Sequence, residues 1–299
     1  MTNLSSTHRQ KAVTYIQQHA RQLEKNLYAY YFEQGTSDSV LTALASFQNA
    51  DGGFGHGLEC DIRLVDSSVI ATTVAFQIFR ELCVPASHPM VQRAARYLVN
   101  QYDAMNKIWR NIPANIDDAP HAPWWEYSDS PSHYLVNPRA EIVGYCYDYP
   151  ELFPASLCDD LTQAVLAHTQ THTDVEMHDL LCYIRLAETA NLPLAIREKL
   201  TAFLTPVIEK SVARTSSEWG GYGLTPLTVV STPKSLFYPD FIQVIPQNLA
   251  YIYAQQSEEG YWSPSWSWEF AHADGWRDAE HDLRGVITLR NLLYEHHFR

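Results

Sequence analysis

The stretch Phe47-Gln48-Asn49-Ala50-Asp51-Gly52-Gly53-Phe54-Gly55-His56-Gly57 lies between two helix-like segments. A looser echo, Gln255-Gln256-Ser257-Glu258-Glu259-Gly260-Tyr261-Trp262, follows near the other end. Glycines at this density permit a tight turn and a close backbone approach. A helix that closes on Gln, passes an acidic residue and Gly, and reaches an aromatic twice over constrains the chain to repeating helical hairpins. The glycines are no dinucleotide fingerprint, because GxGxxG is not matched and no strand precedes them.

Helical periodicity runs through most of the remainder. Ile16, Ala20, Leu23, Leu27 and Tyr30 or Tyr31 recur at three- and four-residue steps, predicting one helix that Gly35 ends. Ser37-Asp38 offers a cap for the next helix, and Asp66-Ser67-Ser68 for one running to about Cys83. Pro85 stops that helix, and His88-Pro89 opens another. Further helices are predicted at about 139–149, 154–170, 174–190, 193–210, 241–257 and 277–297. Two stretches break the pattern. Residues 104–137 hold Pro113, Pro120, Pro123 and Pro131 beside Trp109, Trp124 and Trp125, and residues 215–238 hold Trp219-Gly220-Gly221-Tyr222 with Pro226 and Pro233. That much proline excludes a regular helix, and loops of such length inside a compact domain usually have a function.

The expected fold is therefore all-α, one domain over residues 1–299, with long Trp- and Pro-rich loops. Gln48 and Gln101 are 53 residues apart, and Gln48 and Gln255 are 207 apart, close to four such units. Five or six hairpins of about 50 residues fit the chain. A closed ring, an (α/α) toroid or barrel, is favoured over an open solenoid because neither terminus reads as a polar cap. A hydrophobic fraction of 46% suffices for its core.

The formal charge of −13 argues against a nucleic-acid partner, which calls for a basic face. No apolar run is long enough for a membrane span, and the N-terminal MTNLSSTHRQ lacks the apolar core of a signal peptide. Cys60, Cys83, Cys146, Cys158 and Cys182 are odd in number and form no CxxC pair. They read as reduced thiols, so the expected setting is cytoplasmic.

Gln48-(x)2-Asp51-Gly52-Gly53-Phe54-Gly55 and Gln255-(x)4-Gly260-Tyr261-Trp262 resemble the Gln–Trp repeats of squalene and oxidosqualene cyclases. The first also resembles the GGFxG repeat of protein prenyltransferase β-subunits. Both families are α/α toroids with a central apolar cavity for an isoprenoid. The resemblance implies that the residues just after the glycine turn, Glu59, Asp61, Arg63, Asp66 and Ser67, reach the cavity mouth. The chain departs from both families in its chemistry. Terpene cyclases of this type protonate substrate with Asp-x-Asp-Asp, for which the nearest match is Asn115-Ile116-Asp117-Asp118; Asp117 stands at the donor position. Prenyltransferases hold zinc with Asp, Cys and His, but no spacing here forces Cys60-Asp61 and the histidines into such a set. No cofactor and no metal ligand is assigned.

Beside the resemblance, the residues can be weighed on their own. Glu59, Asp61 and Asp66 form an acidic cluster with Arg63 among them, either an ion-pair and capping network or a general acid and polar anchor. In His121-Ala122-Pro123-Trp124-Trp125-Glu126, adjacent tryptophans cannot share one helical face, and one can line a pocket. Their π-faces suit a carbocation or a sugar ring. Glu141 and His178 fall near helix starts, as Asp66 does, and in a ring would converge on one end; His178-Asp179 resembles an oriented acid–base pair. His168 and His172 are four apart, a metal-capable spacing, yet Thr169 removes the HExxH pattern. Trp262, Trp266 and Trp268 either close the ring or line the same mouth.

Two enzyme classes and one non-enzymatic class follow. The first is an isoprenoid-handling enzyme of the cyclase or prenyltransferase type, with catalytic candidates Glu59, Asp61, Asp66 and Asp117. Its substrate-binding candidates are Arg63, His121, Trp124, Trp125, Glu141, His178 and Trp266. The second is a carbohydrate-active (α/α) barrel, a glycosidase or lyase with paired acids and aromatic stacking. The third is a non-catalytic binding module on the same scaffold, since fold alone does not assign function. The partner in each case is a small molecule, isoprenoid or carbohydrate.

Overall fold

The computed structural model describes residues 4–172 and 174–299. The described residues are all-α, with isolated β-bridges in place of strands. In chain order the helices are α1 (Ser6–His19), α2 (Gln22–Phe32), α3 (Ser37–Leu44), α4 (Val69–Glu81), α5 (Pro89–Asn100), α6 (Arg139–Asp148), α7 (Ala155–Thr171), α8 (Met177–Ala187), α9 (Leu194–Ser211), α10 (Pro226–Val229), α11 (Ile245–Ala254) and α12 (Ala273–His297). No described helix is long and apolar enough to cross a membrane. The chain packs as two compact units, Ala45–Ser211 and a second made from Met1–Leu44 with Val212–Arg299.

In the unit built from the chain's two ends, α1 and α2 lie against α12, and α2 against α3. The periodicity had predicted one helix through Tyr30; the structure divides it. Ala20 and Arg21 take extended conformations, ψ 161° and 159°, and Arg21 clasps Glu24 through Nε at 2.9 Å and Nη2 at 2.6 Å. The break seats Ala20 on α12, where a Cβ at Gly285 would lie 3.0 Å from the Ala20 methyl. Ile16, Leu23 and Leu27 remain buried across the break, which is why their spacing reads as continuous.

The middle unit is organised around α6, which packs on α4, α7 and α8; α5 lies on α4, and α9 on α7 and α8. Ser68 caps α4 by accepting from the Ala71 N–H, and His88 caps α5 ahead of Pro89, as the sequence predicts. Phe76 of α4 stacks on Tyr145 of α6, centroids 4.6 Å apart, and meets Phe79 edge-on at 5.5 Å. Glu141 is buried in the same core. It accepts from Gln77 Nε2 (2.8 Å) and the Tyr145 hydroxyl (2.5 Å), and its other oxygen accepts from Arg185 Nη1 (3.0 Å). One carboxylate thus joins α4, α6 and α8, and its charge is compensated where it is buried.

The glycine-aromatic turn occurs twice with one hydrogen-bond scheme, and a third time, without glycine, in a turn one residue longer. Asn49 N–H donates to Gly53 O (2.9 Å), Ser257 N–H to Tyr261 O (2.9 Å) and Asp103 N–H to Ile108 O (3.0 Å). The residue after each acceptor is the aromatic, Phe54, Trp262 or Trp109. Two residues before it the backbone turns left-handed, at Gly52 (φ 95°), Gly260 (φ 101°) and Lys107 (φ 56°). Phe54 N–H then donates to Thr72 Oγ1 and Trp262 N–H to Thr288 Oγ1. The side chain matching Gln48 is Gln256, one residue beyond the Gln255 that the sequence spacing selects. Gln48 Nε2 reaches Gly52 O and Met90 O, and Gln256 Nε2 reaches Gly260 O and His8 O. In each case the amide ties the turn to a helix, α5 or α1. Gln255 is only the residue on which α11 ends.

Candidate functional site

In the middle unit the glycine turn hands the chain to residues 58–67, which the Pro/Trp-rich loop then covers. Asn49 Nδ2 donates to Val65 O (2.9 Å) and Ser67 Oγ (3.0 Å), and Ser67 Oγ donates to Asp51 (2.8 Å). A Cβ on Gly55 would lie 2.2 Å from Asp66 O, so only glycine lets these strands of backbone approach. The turn therefore fixes where the acids after it stand.

The second segment comes from residues 111–127. Arg63 N–H donates to Pro120 O and Ala122 N–H to Asp61 O, both 2.9 Å, with Ile62 and His121 bridged in antiparallel. Ile70 N–H, in the first turn of α4, donates to Asn111 O (3.0 Å). Asn115 Nδ2 donates to Asp66 Oδ2 (2.8 Å). Underneath, Ile62, Leu64, Ile112 and Ile116 form an apolar staple, with Ile70, Trp125 and Tyr127 against it. Burial of four aliphatic side chains stabilises the pairing by several kcal/mol, at roughly 1.5–3 kcal/mol each. A proline-rich loop whose only helical hydrogen bonds among the described residues are short 3-10 turns is held in this way.

Six predicted residues are thus brought together: Asp61, Arg63 and Asp66 from one segment and Asp117, His121 and Trp125 from the other. Asp61 and His121 are buried, 5% and 9% exposed, while Asp66 and Asp117 face solvent. His121 Nδ1 lies 2.9 Å from Ala119 O, so this nitrogen carries the proton. Its Nε2 faces Asp117 Oδ1 at 3.5 Å. Glu59, half-buried, accepts from the Asp61 N–H at 3.5 Å, and Arg63 Nη1 reaches Cys60 O at the same distance. Of the paired tryptophans, Trp125 packs inward and Trp124 stands 49% exposed.

Asn111 and Asn115 were not among the sequence candidates, and the structure makes them part of the site. Asn111 Oδ1 and the Trp125 indole N–H are buried without a protein hydrogen-bond partner. The sequence signal for Asn111 was its position directly after Trp109-Arg110, where the third turn ends.

The remaining candidates lie elsewhere. Glu141 is engaged in the α4–α6–α8 core described above. His178 sits at the start of α8, its Nδ1 2.8 Å from Glu176 Oε1, and Glu176 also caps the helix through the His178 N–H. Burial opposes ionisation of Glu176, and the His178 side-chain bond and charge outweigh it, so its pKa is lowered. Asp179 accepts from the Asn137 N–H (3.1 Å); burial and the Glu176 charge push its pKa up to about 6. His168 and His172 stack face to face at 3.9 Å, and burial followed by the His172 charge lowers His168 to about 4. Among the described residues, no three His, Cys, Asp or Glu side chains are grouped to hold a metal ion. Trp266 belongs to the other unit, with Tyr222 edge-on at 5.5 Å.

Set against known proteins, the sequence matches no protein-family description and no curated protein.

Proposed function

We propose that the protein is an isoprenoid-handling enzyme of the terpene cyclase or prenyltransferase type, its hairpins closed into an α/α toroid, with substrate engaged at the paired 58–67 and 111–127 segments. The observation that carries this reading is the convergence of Asp61, Arg63, Asp66, Asp117, His121 and Trp125, held in place by a turn of the kind that resembles the Gln–Trp repeat. The recurrence of that turn with one hydrogen-bond scheme supports the helical-hairpin repeat.

In this reading Arg63 anchors an anionic or polar head group. A carboxylic acid, Asp61 or Asp117, donates a proton to the substrate's π-bond and leaves a carbocation. Asp61 is the buried one of the two and Asp117 the one open to solvent. The Trp125 ring stabilises positive charge through its π-face, worth about 0.5–2 kcal/mol per contact. Glu59 and Asp66 set the hydrogen bonding around the two segments. The cysteine pattern supports a reducing, cytoplasmic setting.

Thermal-shift titrations with farnesyl diphosphate, geranylgeranyl diphosphate and squalene test the assignment in wild type, D61N and R63A. At least one isoprenoid is expected to raise Tm in the wild type. Asp61→Asn should abolish turnover while leaving a Tm response, and Arg63→Ala should weaken diphosphate binding about tenfold, equivalent to about 1.4 kcal/mol. Failure of all three compounds to move Tm, or shifts that are identical in both variants, would overturn the reading.

A further inference from the structure

The unit built from the chain's two ends contains an open groove of about 440 Å³ along residues 264–280. Its walls include Trp266, Ser267, Glu269, Trp276, Arg277 and Glu280. That volume lies within the range of small-ligand sites, about 300–1,000 Å³. Both indoles are set by a second aromatic. Trp266 meets Tyr222 edge-on at 5.5 Å and 67°, and Trp276 meets Trp268 edge-on at 5.6 Å and 68°. Trp268 and Trp276 are buried, and Trp266 is partly exposed at the groove. Such rings are preorganised, so little rotamer entropy is lost when a ligand stacks on them.

The charges around the groove narrow the ligand class. Glu280 is paired with Arg284 at 2.8 Å, and Arg277 with Asp274 at 3.1 Å. On the wall a diphosphate would meet two carboxylates, Glu269 and Glu280, and one guanidinium, Arg277, which already pairs with Asp274, so the charge balance disfavours an anion. Hydroxyls, by contrast, fit Glu269 and Ser267 without disturbing either ion pair. A ligand with an apolar ring face and equatorial hydroxyls answers both features of the wall. A second groove of similar volume, lined by Ser6, Thr7, Gln10, Lys11, Thr14 and Glu259, has no aromatic wall and lacks that combination.

We propose that the 264–280 groove is a binding site for a neutral oligosaccharide, with a pyranose ring stacked on Trp266 and its hydroxyls bonded to Glu269. This site lies outside the paired segments assigned to isoprenoid handling and does not depend on that assignment. Intrinsic tryptophan fluorescence and Tm are to be followed with maltohexaose, cellohexaose, xylohexaose and chitohexaose at up to about 10 mM, a range that captures millimolar affinity. At least one hexasaccharide should bind the wild type. Trp266→Ala should weaken it at least about tenfold, Trp266→Phe should retain it within about threefold, and D61N should leave it unchanged. Glu269→Gln, an exposed and fold-neutral change, should lower affinity by about threefold to tenfold. The proposal is overturned if no hexasaccharide binds, if W266A and W266F bind as the wild type does, or if choline chloride binds in place of every sugar.

Discussion

Asp179 and His168 bring two opposed titrations into one pH window. The Asp179 carboxyl has its folded-state pKa raised to about 6, by burial first and the Glu176 charge second. The folded protein therefore holds that proton more tightly than the unfolded chain. Stability from Asp179 is fully present below about pH 4 and is lost as pH rises through about 6. A shift of about two units corresponds to about 3 kcal/mol, reduced to about 1–2 kcal/mol for a group still in contact with water. His168 works the other way. Its pKa is lowered to about 4 by burial and by His172, so it costs stability as pH falls below about 6.5. The two slopes partly cancel in the wild type. Asp179→Asn, which keeps an oxygen acceptor for the Asn137 N–H, is expected to raise urea-unfolding stability at pH 7.5 by about 1–2 kcal/mol. The same variant should unmask a rise in stability between pH 4 and 6.5, measured by urea melts across that range. An unaltered pH profile would show that Asp179 ionises as an ordinary carboxylate. The sequence showed His178 beside Asp179 and invited a paired reading. It did not reveal Asn137, whose N–H arrives from a loop 42 positions away.

The glycine-aromatic turns were legible as a pattern but not in register. Gln255 and Gln256 are adjacent, and only the hydrogen bond to Gly260 O distinguishes the one that closes the turn. The third turn was visible only through Gln101 and Trp109, because Lys107 stands where the other two carry glycine. The steric demand is severe at the glycines: a Cβ on Gly52 would lie 2.4 Å from Arg93 O, and one on Gly260 2.5 Å from Lys11 O. Gly52→Ala and Gly260→Ala are each expected to cost about 3 kcal/mol or more in urea unfolding, since both left-handed φ and a backbone clash oppose them. Lys107→Gly should do the reverse, gaining about 0.5 kcal/mol after the added entropy of the unfolded chain is subtracted. A loss of stability in K107G equal to that in G52A would refute a common geometry for the three turns. The site has the same history. Proline content identified residues 104–137 as an irregular loop, and composition identified its aromatics. Its pairing with Asp61 and Arg63 depends on backbone hydrogen bonds between segments nearly sixty residues apart, which leave no periodicity to read. The apolar staple was hidden for that reason, as Ile112 and Ile116 sit among prolines and acids.

For the chain as a whole, the all-α class was legible because a 3.6-residue period recurs between Ile16 and Leu293 on either side of two proline-rich stretches, and no alternating strand pattern competes with it. The division of the first helix at Ala20-Arg21 was not, since the apolar residues keep their spacing through the break. Nor does a linear sequence announce that Met1–Leu44 shares a unit with Val212–Arg299. That arrangement governs the order of folding. Elements that pack within Ala45–Ser211 lie closer in sequence than α1 and α2 do to α12, which they meet only across more than two hundred residues. Pulsed hydrogen exchange during refolding should protect the amides of Ala45–Ser211 before those of Ser6–Leu44. Simultaneous protection of both would contradict this order. On the ribosome the consequence is a long wait. The faces of α1 and α2 that carry Ile16 and Leu23 are made more than two hundred residues ahead of the helix that shields them, at ~5–20 residues per second. For roughly ten to fifty seconds the nascent chain therefore carries an uncovered greasy stripe.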